Sequence, residues 1–359
     1  MMNKPQNPNP PHSDARKEAI EKHNNIRAEE RKKRLDVLQK LSAERGCPII
    51  SYVTSSRQVL NAQIGMDVIR LLREHLGKIG KAQEIGLLLI THGGNILVPL
   101  RFISLLREFA PKIAVLTPYM AHSAGTLMAL GADEIVMGTM GELGPVDPSV
   151  SNHFNPILET EDVQGAAQKP RPRIPISVED VTSYLNFAKN HAKLDAAGVS
   201  AAYNALTAKV HPLALGNILR NHNLIRYLAR RLLSMHMTDG QGDIDGIVKT
   251  LTEELYSHNY LITRDEAKRI GLKVIFPSDV AEETMWSLFK LYEGHLGIDR
   301  PIEMANELGN EKQKYLCYDL AVLESAPLMH CFCARGTGNR KGQSDYEFNA
   351  ESQVWEESA

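Results

Sequence analysis

The chain of 359 residues holds four cysteines, two tryptophans and 6% aromatic residues. Cys47, Cys317, Cys331 and Cys333 are too few and too irregularly spaced to staple a fold of this length, which predicts a reducing, cytoplasmic setting. His330-Cys331-Phe332-Cys333 has the residue types of half a zinc site, but no second Cys/His pair at zinc spacing accompanies it, so no metal is expected. Charge of one sign is also lacking. With 41 Lys and Arg against 43 Asp and Glu, the formal net charge is -2, without the basic footprint of a nucleic-acid binder. No stretch reaches the roughly 18 uncharged apolar residues of a membrane span. The longest apolar run, Ile85 to Ile90, is strand-sized, and the Asn- and Pro-rich first 16 residues have no apolar core for a secretory signal. Neither a G-x-G-x-x-G turn after a strand nor a G-x-x-x-x-G-K-[ST] loop is found, so no dinucleotide, nucleotide or other organic cofactor is expected.

What is present is enough apolar content, 43%, to bury a large core. Residues 1–15 read as disordered, and 16–45 as a charge-dense, exposed helix, packed loosely or at a subunit contact. From Pro48 the pattern alternates. Strand-like segments at 48–54, 85–91, 112–117 and 134–137 are separated by helical ones at 66–76, 97–109 and 123–130. Continuous apolar strands alternating with helices predict an α/β fold with a mostly parallel sheet covered on both faces. A polar, Pro-rich loop at 152–176 and a helical stretch at 178–233 read as an insertion spanning 151–235 of a domain covering 46–300. After it, 301–335 reads as a weakly defined helical extension, and 336–359 as a disordered tail.

Two loops carry the chemistry, and each follows a strand. In Thr91-His92-Gly93-Gly94-Asn95, paired glycines leave backbone N–H groups uncovered, so that they can point at an oxyanion. In Ala121-His122-Ser123-Ala124-Gly125, a serine opens a helix of small residues, where a substrate can approach its hydroxyl closely. Each loop alone has a plainer reading, a turn or a helix N-cap. Together, in this order, they are the layout of a nucleophile facing an oxyanion hole. His122, adjacent to Ser123 in sequence, is expected to point away from it, and His92 to line the pocket.

The segments THGG, AHSAGTLMALGADEIVM, GELGPVDPS and SHNYLITRDEAKRIGL resemble the serine dehydrogenase proteinase family. That family is related to signal peptide peptidase A and, more remotely, to Clp protease within the ClpP/crotonase superfamily. The resemblance covers roughly residues 48–275. It implies a ClpP/crotonase-like fold of repeated ββα units and peptide-bond hydrolysis through an acyl-enzyme. Ser123 matches the nucleophile and Gly93 and Gly94 the oxyanion loop, with the Ala124 N–H as a second donor. A peptide or protein substrate and a homo-oligomer follow from the same resemblance.

Serine needs a base within hydrogen-bond reach. Where Clp protease keeps its histidine, this chain has Pro145-Val146-Asp147-Pro148, so that triad does not carry over. Asp147, held between prolines, can orient a base or cap a turn. Three bases remain: His258, which matches an element the family carries before its EA…GL helix; His211, in a His-Pro turn; and Lys209, which would form a Ser–Lys dyad as in signal peptide peptidase A if burial lowered its pKa. Two other readings keep the fold: a crotonase-like enzyme acting on acyl-CoA thioesters, and an inactive ClpP-like assembly subunit.

Overall fold

The computed structural model describes residues 13–57, 60–146, 153–157, 173–237, 242–255, 257, 259–298, 300–342 and 345–358. The chain forms two compact units, one of residues 1–143 with 262–359 and the other of 144–261. The first unit begins with α1 (Ser13–Arg45), β1 (Ile49–Thr54), α2 (Val68–Ile79), β2 (Glu84–Ile90), α3 (Val98–Arg107), β3 (Lys112–Thr117), β4 (Met120–Ala121), α4 (Ala124–Leu130), β5 (Glu134–Met137) and β6 (Glu142–Leu143). The second unit carries α5 (Val178–Asn186), α6 (Ala196–Lys209), α7 (Pro212–Leu233) and α8 (Ile244–Lys249), with π-helical turns at Phe187–His191 and Thr250–Glu254. The chain then returns to the first unit through β7 (Ile262–Thr263), α9 (Arg264–Ile270), β8 (Val274–Ile275), α10 (Asp279–Leu296) and α11 (Met304–Leu308). It finishes with β9 (Gln313–Ser325), β10 (Leu328–Arg340) and β11 (Tyr346–Ser358).

The protein is a mixed α/β structure. Its main sheet has the order β11-β10-β9-β1-β2-β3-β5-β8. The segment β1-β2-β3-β5-β8 is parallel throughout, with Tyr52 opposite Leu89 and Leu87 opposite Val115. Every residue of β1 and β5 is buried, as is all of β2 and β3 beyond the first residue, which is why these strands read as continuous apolar runs rather than alternating ones. A second, three-stranded sheet of order β4-β6-β7 lies beside the loops that leave β2 and β3. Among the described residues no helix is long and apolar enough to cross a membrane.

The C-terminal expectation is corrected. In place of a weak helical extension and a disordered tail, residues 313–358 form three long antiparallel strands that extend the sheet from β1. Pairing over 12 registered positions between β10 and β11 overrides the polar, Gly-containing composition that argued against strands. The N-terminal helix is also more tightly held than expected; residues 1–12, which precede it, lie outside the described chain. Leu38 and Leu41 of α1 are fully buried in the core with Val53, Leu288 and Val322. Arg34, 0% exposed, donates to Glu324 Oε2 at 2.7 Å and to His295 Nδ1 at 2.6 Å, and its guanidinium lies 5.0 Å over the Tyr292 ring. Arg27 grips both oxygens of buried Asp319 at 2.6 and 3.0 Å.

In the second unit α7 supplies the core, burying Ala214, Ile218, Ile225, Leu228 and Leu232. Neither α5 nor α6 buries a single residue. Of the long polar loop, residues 158–172 lie outside the described chain. Its two ends meet in an antiparallel bridge between Ile157 and Arg173, with the Ile174 N–H donating to the Pro156 carbonyl at 2.8 Å.

Candidate active site

Ser123 sits at φ +51° and ψ -111°, one of two described non-glycine residues with positive φ. Such a conformation costs on the order of 1–3 kcal/mol and persists only where the surroundings enforce it. The N-cap explanation fails on geometry, because the Ser123 side chain makes no cap hydrogen bond. The turn is held instead by the backbone: His122 N–H to the Thr91 carbonyl at 3.0 Å, Gly125 N–H to the His122 carbonyl at 2.8 Å, and Leu127 N–H to the Ser123 carbonyl at 3.1 Å. Ser123 is thus a strained, partly exposed serine between a strand and a helix, the arrangement that lifts a nucleophilic hydroxyl clear of its own backbone.

The glycine loop is fitted against it. A Cβ on Gly93 would stand 2.9 Å from Ser123 Cβ and 3.0 Å from the His122 carbonyl oxygen, and φ there is +110°. A Cβ on Gly94, at φ +149°, would stand 2.5 Å from the Ile64 backbone. Both positions therefore require glycine for space as well as conformation. Ile64 clamps the loop by donating to the Gly93 carbonyl at 2.8 Å and accepting from the Asn95 N–H at 2.9 Å. The Gly93 N–H donates to Thr91 Oγ1 at 3.0 Å, and Thr91 Oγ1 in turn accepts from the Thr54 hydroxyl at 2.8 Å. The N–H groups of Gly94 and Ala124 have no hydrogen-bond partner among the described residues. Two backbone donors thus remain open, one on the residue after Ser123 and one on the residue after the glycine packed against it.

His92 and His122 pack edge to face, with ring centroids 5.6 Å apart. His122 Nε2 lies 3.0 Å from Glu142 Oε1. Glu142 is a residue that the sequence argument missed; its only signal is its place in the GELGPVDP run. It is brought in by β6, which pairs with β4 immediately before Ser123.

The three candidate bases belong to the second unit. His258, like Asp147, lies outside the described residues. His211 Nδ1 accepts from the Leu213 N–H at 3.1 Å, capping α7, and its ring stacks on Phe154 at 5.1 Å. Lys209 is exposed and lines a cavity with Arg173 and Asp180.

The His-Cys-Phe-Cys run divides between two buried networks. His330 Nδ1 meets His75 Nε2 at 3.1 Å, and His75 Nδ1 meets Ser325 Oγ at 2.7 Å. Burial, then the neighbouring His330, pushes the His75 pKa down to about 3. Cys333 Sγ is 4.0 Å from His23 Nε2, and with Asp319 these two offer three potential ligand atoms within 4.8 Å of one another. The Asp319 oxygens already accept from Arg27 and, at 2.8 Å, from His295. The group is thereby charge-compensated as an ion-pair network.

Residues 22–169, which include both loops, match the family of ClpP-like SDH-type serine proteinases. Two uncharacterized proteins of Methanocaldococcus jannaschii are similar to this chain as well. One is 25% identical over 270 residues, covering 72% of this chain and 78% of the relative. The other is 31% identical over 129 residues, covering 34% of this chain and 44% of that relative. The matched segment contains both the Ser123 turn and the glycine loop packed against it.

Proposed function

We propose that this protein is a serine peptidase that hydrolyses peptide bonds through an acyl-enzyme on Ser123. The observation that carries the reading is the strained Ser123 turn fitted against Gly93, with the N–H groups of Gly94 and Ala124 left open in the two loops. The Ser123 oxygen attacks the scissile carbonyl carbon as a base removes its proton. The carbonyl oxygen becomes an oxyanion that accepts from those two N–H groups, and collapse expels the amine, which takes the proton back from the base. Water then releases the acyl group by the same route. Gly93 contributes mainly by having no side chain, which allows the close approach, because its own N–H is held by Thr91. The succession β3–β4–α4 is read as one ββα unit of the ClpP/crotonase fold.

For the base we retain His258 first, then His211 and Lys209. Exposure of Lys209 argues against a Ser–Lys dyad. Substrates are peptides or proteins, and a homo-oligomeric, cytoplasmic enzyme is the accompanying reading. The test is hydrolysis of unfolded casein by wild type beside Ser123→Ala. The variant should lose at least about 10³-fold in rate while keeping its melting temperature. Equal rates in the two proteins would sink the proposal.

A further inference from the structure

The second unit contains a cavity of about 1030 Å³ whose walls come from the bridged ends of the 152–176 loop and from α5 and α6. The walls are apolar, with Ile157, Ile174, Ile176, Val181, Leu206 and Val210 all lining it. Ile157 and Ile174 remain 48% and 41% exposed at this site, where large apolar side chains are normally covered. The volume stands at the upper end of the range for ligand sites, roughly 300–1,000 Å³, and suits a short peptide segment better than a small metabolite.

Charge decides the class of occupant. Arg173 and Lys209 both line the cavity, and neither has an acidic partner among the described residues. Arg173 is oriented by donating Nη1 to the Asn155 carbonyl at 2.6 Å, a bond that leaves its charge uncompensated. The one acid in the lining, Asp180, is oriented by the Ser177 N–H, which donates to its Oδ2 at 3.2 Å in the capping box that starts α5, so the lining carries two cations against one carboxylate. An apolar trough with an excess of positive charge is complementary to an apolar segment that carries a carboxylate.

We propose that this cavity binds a short apolar stretch of polypeptide bearing a carboxylate, which Arg173 and Lys209 receive. The choice of polypeptide rests on the peptidase reading above. The carboxylate can be a C-terminus or an acidic side chain. Lys209 then has a role in recognition.

The test uses full-length protein carrying Ser123→Ala, so that the probe is not consumed, and fluorescence anisotropy with four fluorescein-labelled hexapeptides of leucine and alanine. One ends in a free carboxylate, one is amidated, one is amidated with an internal glutamate, and one is amidated with an internal lysine. One or both carboxylate peptides should bind at least 10-fold more tightly than the amidated and lysine forms, and their ranking tells which carboxylate is read. Adding Arg173→Glu with Lys209→Glu should weaken that binding at least 10-fold, whereas Arg173→Lys should retain it. Both side chains are solvent-accessible, and an unchanged circular dichroism spectrum confirms that the variants fold. Equal affinity for all four peptides, no effect of the double reversal, or binding of decanoate but of no peptide would overturn the proposal. The two readings fail separately. Carboxylate-dependent binding without any hydrolysis by wild type removes the peptidase reading alone, and hydrolysis without carboxylate-dependent binding removes this one alone.

Discussion

Two helices show how little composition says about burial in this protein. The first, α1, is dense in charge, yet it buries two arginines and two leucines in the core of its unit. The other, α6, is rich in alanine and apolar residues and buries nothing. The difference lies in what each faces. Arg27 and Arg34 meet Asp319 and Glu324, so each buried charge has a partner with close hydrogen-bond geometry, and Leu38 and Leu41 continue the same face into the sheet core. Among the described residues no comparable partner covers α6: Leu206 packs partly against Val210 and Ala214, Tyr203 stays 46% exposed, and Leu206 and Lys209 stand in the wall of an open cavity. A charged helix is thus a fixed part of the first unit, and an apolar helix is an available surface of the second.

The largest effect that sharpens this comparison is expected at Arg34. Arg34→Ala leaves Glu324 buried without its cation and should destabilise the first unit by about 3–5 kcal/mol, read as a drop in the urea midpoint. Tyr203→Ser on α6 should stay within about 0.5 kcal/mol. Comparable losses in the two variants would erase the distinction.

The next effect is that of pH. Burial pushes His75 to about 3 and also lowers His295 and His330, so all three stay neutral in the folded chain at pH values where the unfolded chain protonates them. The unfolded state then binds more protons, and stability, complete above about pH 6.5, falls as pH drops toward 3, at about 1.4 kcal/mol per pH unit for His75 alone. Asp319 adds to this further down. Its hydrogen bonds from His23, His295 and Arg27 hold the pKa well below 3.8 in spite of burial, so its contribution is lost as pH falls below 3.8. Urea midpoints measured between pH 7.5 and 4.5 check the slope, and a flat profile would contradict the neutral buried histidines. The two buried networks, His75 with His330 and His295 with Asp319, are accordingly the acid-sensitive parts of the first unit.

The parallel half of the sheet was legible in the sequence because each of its strands is buried on both faces and reads as an apolar run, as in Ile85 to Ile90. The two site loops were legible for a related reason: glycines and a serine at strand ends carry their constraint locally. The strands β9 to β11 were not. Asp319 and Glu324 are tolerable in a buried strand only because Arg27 and Arg34 arrive from 292 and 290 residues away, and no local pattern announces that. Glu142 escaped for the same reason, since it reaches His122 through pairing of β4 with β6. The base stays a matter of residue type, with His258 outside the described chain.

The most direct test of the central claim is labelling with a fluorophosphonate probe followed by peptide mass spectrometry. The account predicts a single covalent adduct, on Ser123, that forms in step with loss of hydrolysis and is absent from Ser123→Ala. An active protein whose Ser123 stays unmodified, or an adduct on another residue that tracks the loss of activity, would contradict it.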